Sequence, residues 1–552
     1  MNFSTFYREK IQHKLRTKQY DVLIIGGGIT GAGIAFDAAA RGMSTALIEM
    51  QDFAAGTSSR STKLVHGGLR YLKQLEVKLV AEVGKERAIV YENGPHVTTP
   101  EWILLPIYKE GTFGKFTTSL GLRIYDYLAK VRRSERRKML TADETIKREP
   151  LIKKAGLLGG GYYVEYRTDD ARLTLEVIKA AATNGAIVCN YSKIIELVYK
   201  NNKIAGAVVE DQLSGEIFEI SSKKVVNSAG PWVDNILSLD QSKTEKTLKH
   251  TKGVHIVIDQ SRFPLTQAVY FDTPDGRMMF AIPRDGKTYV GTTDTFYNQE
   301  IVHPKMTISD RDYIINAIHY MFPFVDINEK DVESSWSGVR PLIYEDGKNP
   351  SELSRKDEIW KSPSGLITIA GGKLTGYRKM AETVVDLLAE QFILEEGIRY
   401  SGCNTKEIPI SGGHVGGSHN FESYIAENRL KGLEAGLTLA EAEQLTRMYG
   451  SNVKTIFELL RENLNDADKF GLPRVLFAKL VYGIEAEMVV TPLDFFNRRT
   501  GFLLFSIELV EKYKQQVMNY MEMKFMWNEL EKQRYCLELE EALITAKFPV
   551  NI

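Results

Sequence analysis

Over the first fifty residues the hydrophobic pattern changes period in a fixed order. Val22 to Ile25 is an unbroken apolar run, which predicts a strand buried on both faces. Gly26, Gly28 and Gly31 then fill G-x-G-x-x-G, an alanine-rich helical stretch follows, and a second apolar run, Thr45 to Ile48, ends in Glu49. Gly26 permits a tight turn out of the strand, Gly28 lets backbone approach a pyrophosphate, and Gly31 lets helix and strand pack closely. The helix N-terminus offers N–H groups and a positive dipole end to phosphates. Glu49, eighteen residues past Gly31, stands where an acid can accept hydrogen bonds from ribose hydroxyls. Strand, glycines, helix, strand and acid in this order predict a dinucleotide site.

Further along, residues 75 to 92 have helical spacing, whereas 102–148 breaks the α/β rhythm and is locally basic. Asp169 and Asp170 are expected first of all to cap a helix that runs through Ala182 and ends at Asn184-Gly185. Strand-like runs follow at 186–189, 193–199 and 204–210, and then VVNSAGPW at 225–232. Alternation in HTKGVHIVI, MMFAIPRDGKTYVGTTD and WSGVRPL predicts an antiparallel sheet between about 250 and 345. GLITIAGGKLTGYRKMAETVVDLL (365–388) is again strand, glycine turn and helix, and beyond about 405 the pattern is helical, charged and amphipathic. The organisation is therefore discontinuous. A dinucleotide-binding domain is expected at 1–95, 151–245 and 361–395, an inserted basic segment at 96–150, a sheet-rich substrate-binding domain at 246–360 and a helical domain at 400–552.

Composition narrows this little. At 552 residues, 43% hydrophobic and 26% charged, the chain reads as an ordinary globular protein of several domains. Lys plus Arg equals Asp plus Glu at 71 each, which gives no reason to expect a nucleic-acid partner. Cys189, Cys403 and Cys536 lie far apart, so neither a disulfide framework nor a metal site is expected, and a reducing cytoplasm is the simplest location. No apolar run is long enough to span a bilayer, and the first eighteen residues lack the apolar core of a signal peptide.

The second strand–glycine–helix unit tips the cofactor towards FAD. Its turn, Gly371-Gly372-Lys373-Leu374-Thr375, opens a helix whose positive end could face the flavin's pyrimidine edge and hold the charge gained on reduction. A further helix N-terminus in an α/β sheet is the alternative reading.

In order along roughly residues 18–390, the motifs IIGGGITGAGIAFDAAARG, TSSRSTKLVHGGLRYL, TDDARL, NSAGPW, VGTTDT, WSGVRPL and GGKLTGYRKMAE closely resemble the FAD-dependent, membrane-associated respiratory glycerol-3-phosphate dehydrogenases. The resemblance implies an α/β fold: a Rossmann-like FAD-binding domain of the glycine-oxidase-like flavoprotein type, an inserted antiparallel-sheet substrate domain and a helical C-terminal domain. It implies oxidation of sn-glycerol 3-phosphate to dihydroxyacetone phosphate, with hydride passing from C2 to flavin N5 and electrons on to a membrane quinone. An oxidase that makes hydrogen peroxide from the same substrate is the nearest rival, and an amine or amino-acid oxidase stands further off. The absence of a long insertion before GGKLT leans towards the dehydrogenase.

By the same resemblance, Ile29, Thr30, Ser58, Ser59, Lys63, Leu64, His66, Gly67, Ala229, Gly230, Trp232, Gly372, Lys373, Leu374 and Thr375 join Gly26, Gly28, Gly31 and Glu49 on the cofactor. Arg70, Tyr71, Arg340, Arg355, Lys373 and His255 are expected on the substrate, since arginine grips phosphate with two prongs. His66, Arg340 and Lys373 are the catalytic candidates. His66 is placed as the base because an imidazole titrates near neutrality, with a role in orienting or supporting the flavin ring as the alternative. His255, alternating with apolar residues in KGVHIVI, lines the site or is a core histidine, and Trp232 and Trp336 read as packing residues.

Reaching a bilayer quinone requires surface affinity. The segment 119–138 has apolar residues at near-helical spacing and, from Leu120 to Lys138, seven basic residues against two acidic ones. It reads either as an interfacial helix on an anionic lipid surface or as a solvated helix on its own domain. The expected location is cytoplasmic, peripheral on the inner face of the cell membrane. DFFNRRTGFLLF (494–505) is expected to be helical core, and the sequence leaves a homodimer open.

Overall fold

The computed structural model describes residues 3–66, 77–111, 135–243, 248–343 and 357–551, with backbone alone at 77–80. Two sheets and a helical domain make up the chain. In the first sheet the strands run in the order Glu358–Lys361, Ile367–Ala370, Ile217–Asn227, Tyr20–Ile25, Thr45–Ile48 and Ile187–Cys189. All neighbours are parallel except the first pair. Ser192–Lys200 and Lys203–Asp211 form a hairpin that extends Ile217–Asn227. Val22 to Ile24 are fully buried because helices cover the sheet, the environment that produces unbroken apolar strands. Ile29–Ala40 packs against both Asp170–Thr183 and Tyr377–Glu396. A Cβ on Gly33 would lie 3.0 Å from the Tyr377 ring and 3.2 Å from Ala381 Cβ, so small residues set the spacing of these helices.

The second sheet runs Thr295–Phe296, Leu248–Asp259, Lys287–Gly291, Met278–Arg284, Ala268–Asp272, Thr98–Tyr108, Leu157–Thr168 and Leu64–Val65. Val332–Ile343 pairs with Leu248–Asp259, and Lys138–Leu140 with Leu157–Thr168. Pairing is antiparallel apart from Ala268–Asp272 against Thr98–Tyr108. The alternating stretch at 250–345 thus supplies six of the ten strands of a larger sheet. Leu157–Thr168 and Leu64–Val65, which the sequence grouped with the dinucleotide-binding parts, pair here instead, and Glu358–Lys361 joins the first sheet. Helix Ile308–Met321, capped by Thr307 and Asp310, closes a core of Val254, Ile256, Phe263, Phe271 and Phe322.

From Phe421 onward the chain is helical around its own core, which includes Leu445, Ile456, Phe477, Phe495 and Phe496. The segment Asp494–Arg499 is one turn of π-helix inside that core, and its arginines point to the first domain. Arg499 donates to both oxygens of Asp52 at 2.7 and 2.9 Å, and Arg498 reaches the same carboxylate. Arg172 and Lys179, on the long helix of the first domain, pair with Glu487 of the helical domain. These ions are almost wholly buried, so the helical domain is locked to the first domain by charge as well as by packing.

Candidate active site

A cavity of about 760 Å³ opens between the two sheets at the carboxyl ends of the parallel strands. Ligands bind at such a position in open α/β sheets, where successive strand–helix turns diverge. The first turn comes from residues 26–30. Gly26 has φ +107°, and a Cβ there would lie 2.7 Å from the Ser228 carbonyl. A Cβ on Gly31 would fall 1.9 Å from the Gly26 carbonyl, so this glycine fixes helix against strand and does not line the cavity. Gly28 does line it, and a Cβ there would meet only Ser58 Oγ, at 3.1 Å. Apart from Ser58 a Cβ there meets nothing within 4 Å, which leaves the room on the cavity side that a pyrophosphate needs.

Ser58 Oγ accepts the Ile29 N–H at 2.9 Å, tying the 57–59 turn to the helix start. Glu49 Oε2 accepts the Gly27 N–H at 2.7 Å and Oε1 the Gln51 N–H at 2.9 Å, which locks the carboxylate across the fingerprint turn. Burial pushes its pKa up against these donors. Hydroxyl donors of a ribose would compensate that desolvation.

The opposite wall comes from Gly371 to Thr375, before the helix Tyr377–Glu396, and from Ala229, Gly230 and Trp232. Thr375 Oγ1 donates to the His66 carbonyl at 3.3 Å, so the second glycine turn and the His66 loop share one edge of the cavity. The His66 ring lies 6.3 Å from the Phe280 ring, edge to face. From the second sheet, Arg340 Nη2 donates to Thr292 Oγ1 at 3.0 Å and Nη1 to Asp294 Oδ1 at 3.2 Å. A Cβ on Gly253 would collide with this guanidinium, so a glycine on the neighbouring strand makes its room.

The cavity therefore gathers Gly26, Gly28, Ile29, Thr30, Glu49, Ser58, Leu64, His66, Ala229, Gly230, Trp232, Arg340, Gly372, Lys373, Leu374 and Thr375. Ser59, Lys63 and His255 stand behind its wall. Lys63 Nζ is 2.6 Å from Asp170 Oδ1 and 3.0 Å from the Ser59 carbonyl. His255 stacks on Trp336 with centroids 4.6 Å apart and reaches Thr62 Oγ1 at 3.0 Å through Nε2. Burial, helped by the charges of Arg340 and Lys63, holds its pKa well below the ordinary histidine value, so the ring is neutral. Asp169 caps its helix through the Arg172 N–H, whereas Asp170 turns inward to Lys63 and Ser61. Gly67, Arg70, Tyr71 and Arg355 lie outside the described residues.

Several lining residues escaped the sequence reading. Arg60 sits inside the quoted TSSRSTK and Asp294 inside VGTTDT, so each was in view without a role. Burial, with Arg498 close by, brings the Arg60 guanidinium down to about 10. Arg277, Tyr163, Glu165 and Tyr270 carried no local signal, and Phe280 was in view only as a strand residue of MMFAIPR, since only the second sheet's pairing brings them together.

The FAD dependent oxidoreductase family matches residues 21–377, and the C-terminal domain of alpha-glycerophosphate oxidase matches residues 403–532. The aerobic glycerol-3-phosphate dehydrogenase of Bacillus subtilis (strain 168) is 60% identical over 550 residues, covering 100% of this chain and 99% of that protein. Its counterpart in Staphylococcus epidermidis (strain ATCC 12228) is 57% identical over 549 residues, covering 99% and 98%. The crystal structure of glycerol-3-phosphate dehydrogenase from Bacillus halodurans complexed with FAD superposes with a TM-score of 0.87 at 50% identity, covering 100% and 99%. In architecture and sequence alike, the chain belongs to the FAD-dependent glycerol-3-phosphate dehydrogenases.

Proposed function

We propose that this FAD-dependent glycerol-3-phosphate dehydrogenase binds sn-glycerol 3-phosphate between Arg340 and the Gly371–Thr375 turn, oxidises it at C2, and delivers the electrons to a membrane quinone. The carrying observation is that Arg340, oriented by Thr292 and Asp294, opens into the same cavity as both glycine turns. FAD held by the two glycine turns would supply the acceptor for the hydride lost from C2. The chain's own tasks are to hold a dianionic phosphate, to orient C2 and to take the hydroxyl proton. Arg340, with Lys373 across the cavity and Arg70 and Tyr71 from HGGLRYL, holds the phosphate and hydroxyl oxygens, with Arg355 as a further cation. An imidazole nitrogen of His66 takes the C2 hydroxyl proton. Apolar walls such as Leu64 and Phe280 keep water from the reacting carbon.

Among the described residues no helix is long and apolar enough to cross a membrane. Delivery to quinone is therefore read as peripheral, from the inner face of the cell membrane, with the basic stretch 119–138 against anionic lipid. Residues 119–134 of that stretch lie outside the described residues.

The test is an anaerobic titration with sn-glycerol 3-phosphate followed at the flavin absorption band, then reoxidation by a quinone analogue or by oxygen. Stoichiometric bleaching, rapid reoxidation by the quinone analogue and little peroxide are expected. Failure to bleach overturns the substrate assignment, and one peroxide per turnover in air makes oxygen the acceptor. Replacing Arg132, Arg133, Arg136 and Arg137 with Gln should weaken co-sedimentation with anionic liposomes by about 1 kcal/mol per basic residue. Undiminished binding removes this stretch as the anchor.

A further inference from the structure

The hairpin that joins Ala268–Asp272 to Met278–Arg284 reaches the active-site cavity, and Arg277, the first residue past its turn, lines that cavity together with Arg340 and Asp294. The turn is built to hold this arginine still. Thr273-Pro274-Asp275-Gly276 closes through the Gly276 N–H to the Thr273 carbonyl at 2.9 Å, with proline second and glycine, at φ +77°, fourth. Asp275 accepts the Thr273 hydroxyl at 2.5 Å and, at 3.1 Å, the hydroxyl of Tyr313 from the helix Ile308–Met321. Arg277 Nε and Nη2 both reach Asp275 Oδ2, at 2.7 and 2.6 Å, and the guanidinium lies 4.4 Å from the centre of the Tyr313 ring. Although burial alone would raise it, hydrogen bonds from Arg277 and Thr273 bring the Asp275 carboxyl down to about 2, so the anchor stays ionised. One edge and one face of the guanidinium are thereby fixed.

The third nitrogen is different. Nη1 faces the Asp294 carbonyl at 3.5 Å, the outer limit of a hydrogen bond. Asp294 meets both arginines, since its carboxylate holds Arg340 Nη1 at 3.2 Å. The two guanidinium groups therefore stand on either side of one residue, on the same wall. Arg340 already donates from both Nη nitrogens, to Asp294 and to Thr292. A phosphate brings several charged oxygens, each able to accept, and so calls on donors beyond that one side chain. Arg277 Nη1 is such a donor, rigidly aimed and weakly used. Its side chain is 36% exposed, which puts it at the rim, where an incoming anion passes first.

We propose that Arg277 is the outer cation of the substrate's phosphate subsite, exchanging its weak contact with the Asp294 carbonyl for a charge-assisted hydrogen bond from Nη1 to a phosphate oxygen. This rests on the cavity being the sn-glycerol 3-phosphate site and names a residue that selects the phosphorylated substrate there. From the rim Arg277 serves capture and not hydride transfer, so its loss falls on KM and leaves kcat nearly alone.

The test uses the full chain loaded with FAD in a dye-linked assay, with inorganic phosphate as the probe and its inhibition constant against sn-glycerol 3-phosphate as the readout. Arg277→Gln should raise that constant and the KM by about tenfold, the worth of one hydrogen bond between charged groups. The KM of glycerol should move far less. Asp275→Asn should shift the phosphate constant the other way, down by about threefold, because it removes an anion beside the incoming dianion and keeps the arginine. Arg262→Gln breaks an arginine–aspartate pair of the same sheet away from the cavity and should change neither constant. A hairpin that only shapes the mouth would make Arg277→Gln and Asp275→Asn err in the same direction, and for glycerol as well. Equal phosphate constants for wild type and Arg277→Gln overturn the proposal, as does an Arg262→Gln shift of the same size. Weaker phosphate binding in Asp275→Asn overturns it too, and decides the matter should Arg277→Gln fail to fold. If sn-glycerol 3-phosphate does not bleach the wild-type flavin, the substrate assignment itself fails. If it bleaches and Arg277→Gln keeps the wild-type KM, only the role of Arg277 falls.

Discussion

Lys63 Nζ lies 2.6 Å from Asp170 Oδ1 with both side chains out of solvent, and this ion pair holds the loop that lines the active-site cavity. The same carboxylate accepts the Ser61 N–H at 3.0 Å and the Ser61 hydroxyl at 2.7 Å, so Arg60, Ser61 and Thr62 hang from one buried acid. Removing one partner of a buried pair leaves the other charge uncompensated and costs about 3–5 kcal/mol. Asp170→Ala should lower stability by that amount in denaturant melts and release flavin. Adding Lys63→Met should recover part of the loss, because no buried ammonium remains. If the double variant is no more stable than Asp170→Ala, the pair is not what anchors the loop.

The two fingerprint glycines should fail differently. Gly31→Ala places a Cβ 1.9 Å from a backbone carbonyl that cannot retreat without separating strand from helix, so little soluble, folded protein is expected. Gly28→Val meets only the Ser58 hydroxyl and otherwise projects into the cavity. It should give a protein with the wild-type circular dichroism spectrum and no yellow colour. A fully yellow Gly28→Val protein would move the pyrophosphate elsewhere.

What the sequence made legible divides along physical lines. Both strand–glycine–helix units were readable because short contiguous segments carry their pattern, and Gly26, Glu49 and the Gly371–Thr375 turn meet in the cavity as that pattern implies. The strand Leu157–Thr168 was not readable, because Gly159, Gly160 and Gly161 dilute its apolar signal and its partner Thr98–Tyr108 lies some fifty residues upstream. The pattern therefore grouped this strand with the dinucleotide-binding parts, whereas it pairs in the second sheet. Lys63 shows the limit of motif reading. Its motif borders the cavity, but its ammonium is spent on Asp170, an acid that local pattern alone presents as a helix cap. The Asp52–Arg498–Arg499 cluster joins residues more than four hundred positions apart and has no signature in either segment.

That cluster should appear in the acid limb of stability. Asp52 is fully buried, and although burial alone would raise its pKa, Arg499 and Arg498 bring it down to about 2. A carboxyl depressed in the folded state adds stability above its unfolded pKa of about 3.9, and loses it as pH falls through the folded value. The contribution is about 2–3 kcal/mol at neutral pH, disappearing between roughly pH 4 and 2. Asp52→Asn should therefore be much less stable than wild type at pH 7, and the difference should narrow steadily below pH 4. Melting temperatures taken at half-unit steps test this. Parallel curves for the two proteins would mean that Asp52 is not ionised against the arginines.

Arg340 offers the sharpest test of the substrate site. A hydrogen bond to a charged group contributes roughly 1.5–3 kcal/mol, and more is at stake when its loss leaves a buried charge unmatched. Arg340→Ala should then lower kcat/KM for sn-glycerol 3-phosphate by about one to two orders of magnitude at minimum, at roughly 1.4 kcal/mol per decade. Flavin content should hold, since Arg340 comes from the second sheet and the fingerprint turns from the first. Arg340→Lys should rescue only part of the activity, because an ammonium restores charge without the planar two-pronged grip. Asp294→Asn, which removes the ionic partner 3.2 Å from Nη1, should loosen the guanidinium and give a smaller loss of the same kind. Glycerol separates recognition from chemistry. It lacks the phosphate, so it should be a poor substrate for wild type, and the penalty of Arg340→Ala should shrink when glycerol replaces sn-glycerol 3-phosphate. Arg70→Ala should follow the same rule if HGGLRYL supplies a second phosphate clamp. Should both variants slow the two substrates by equal factors, neither arginine reads phosphate, and both belong to the hydride-transfer step or to the flavin's surroundings.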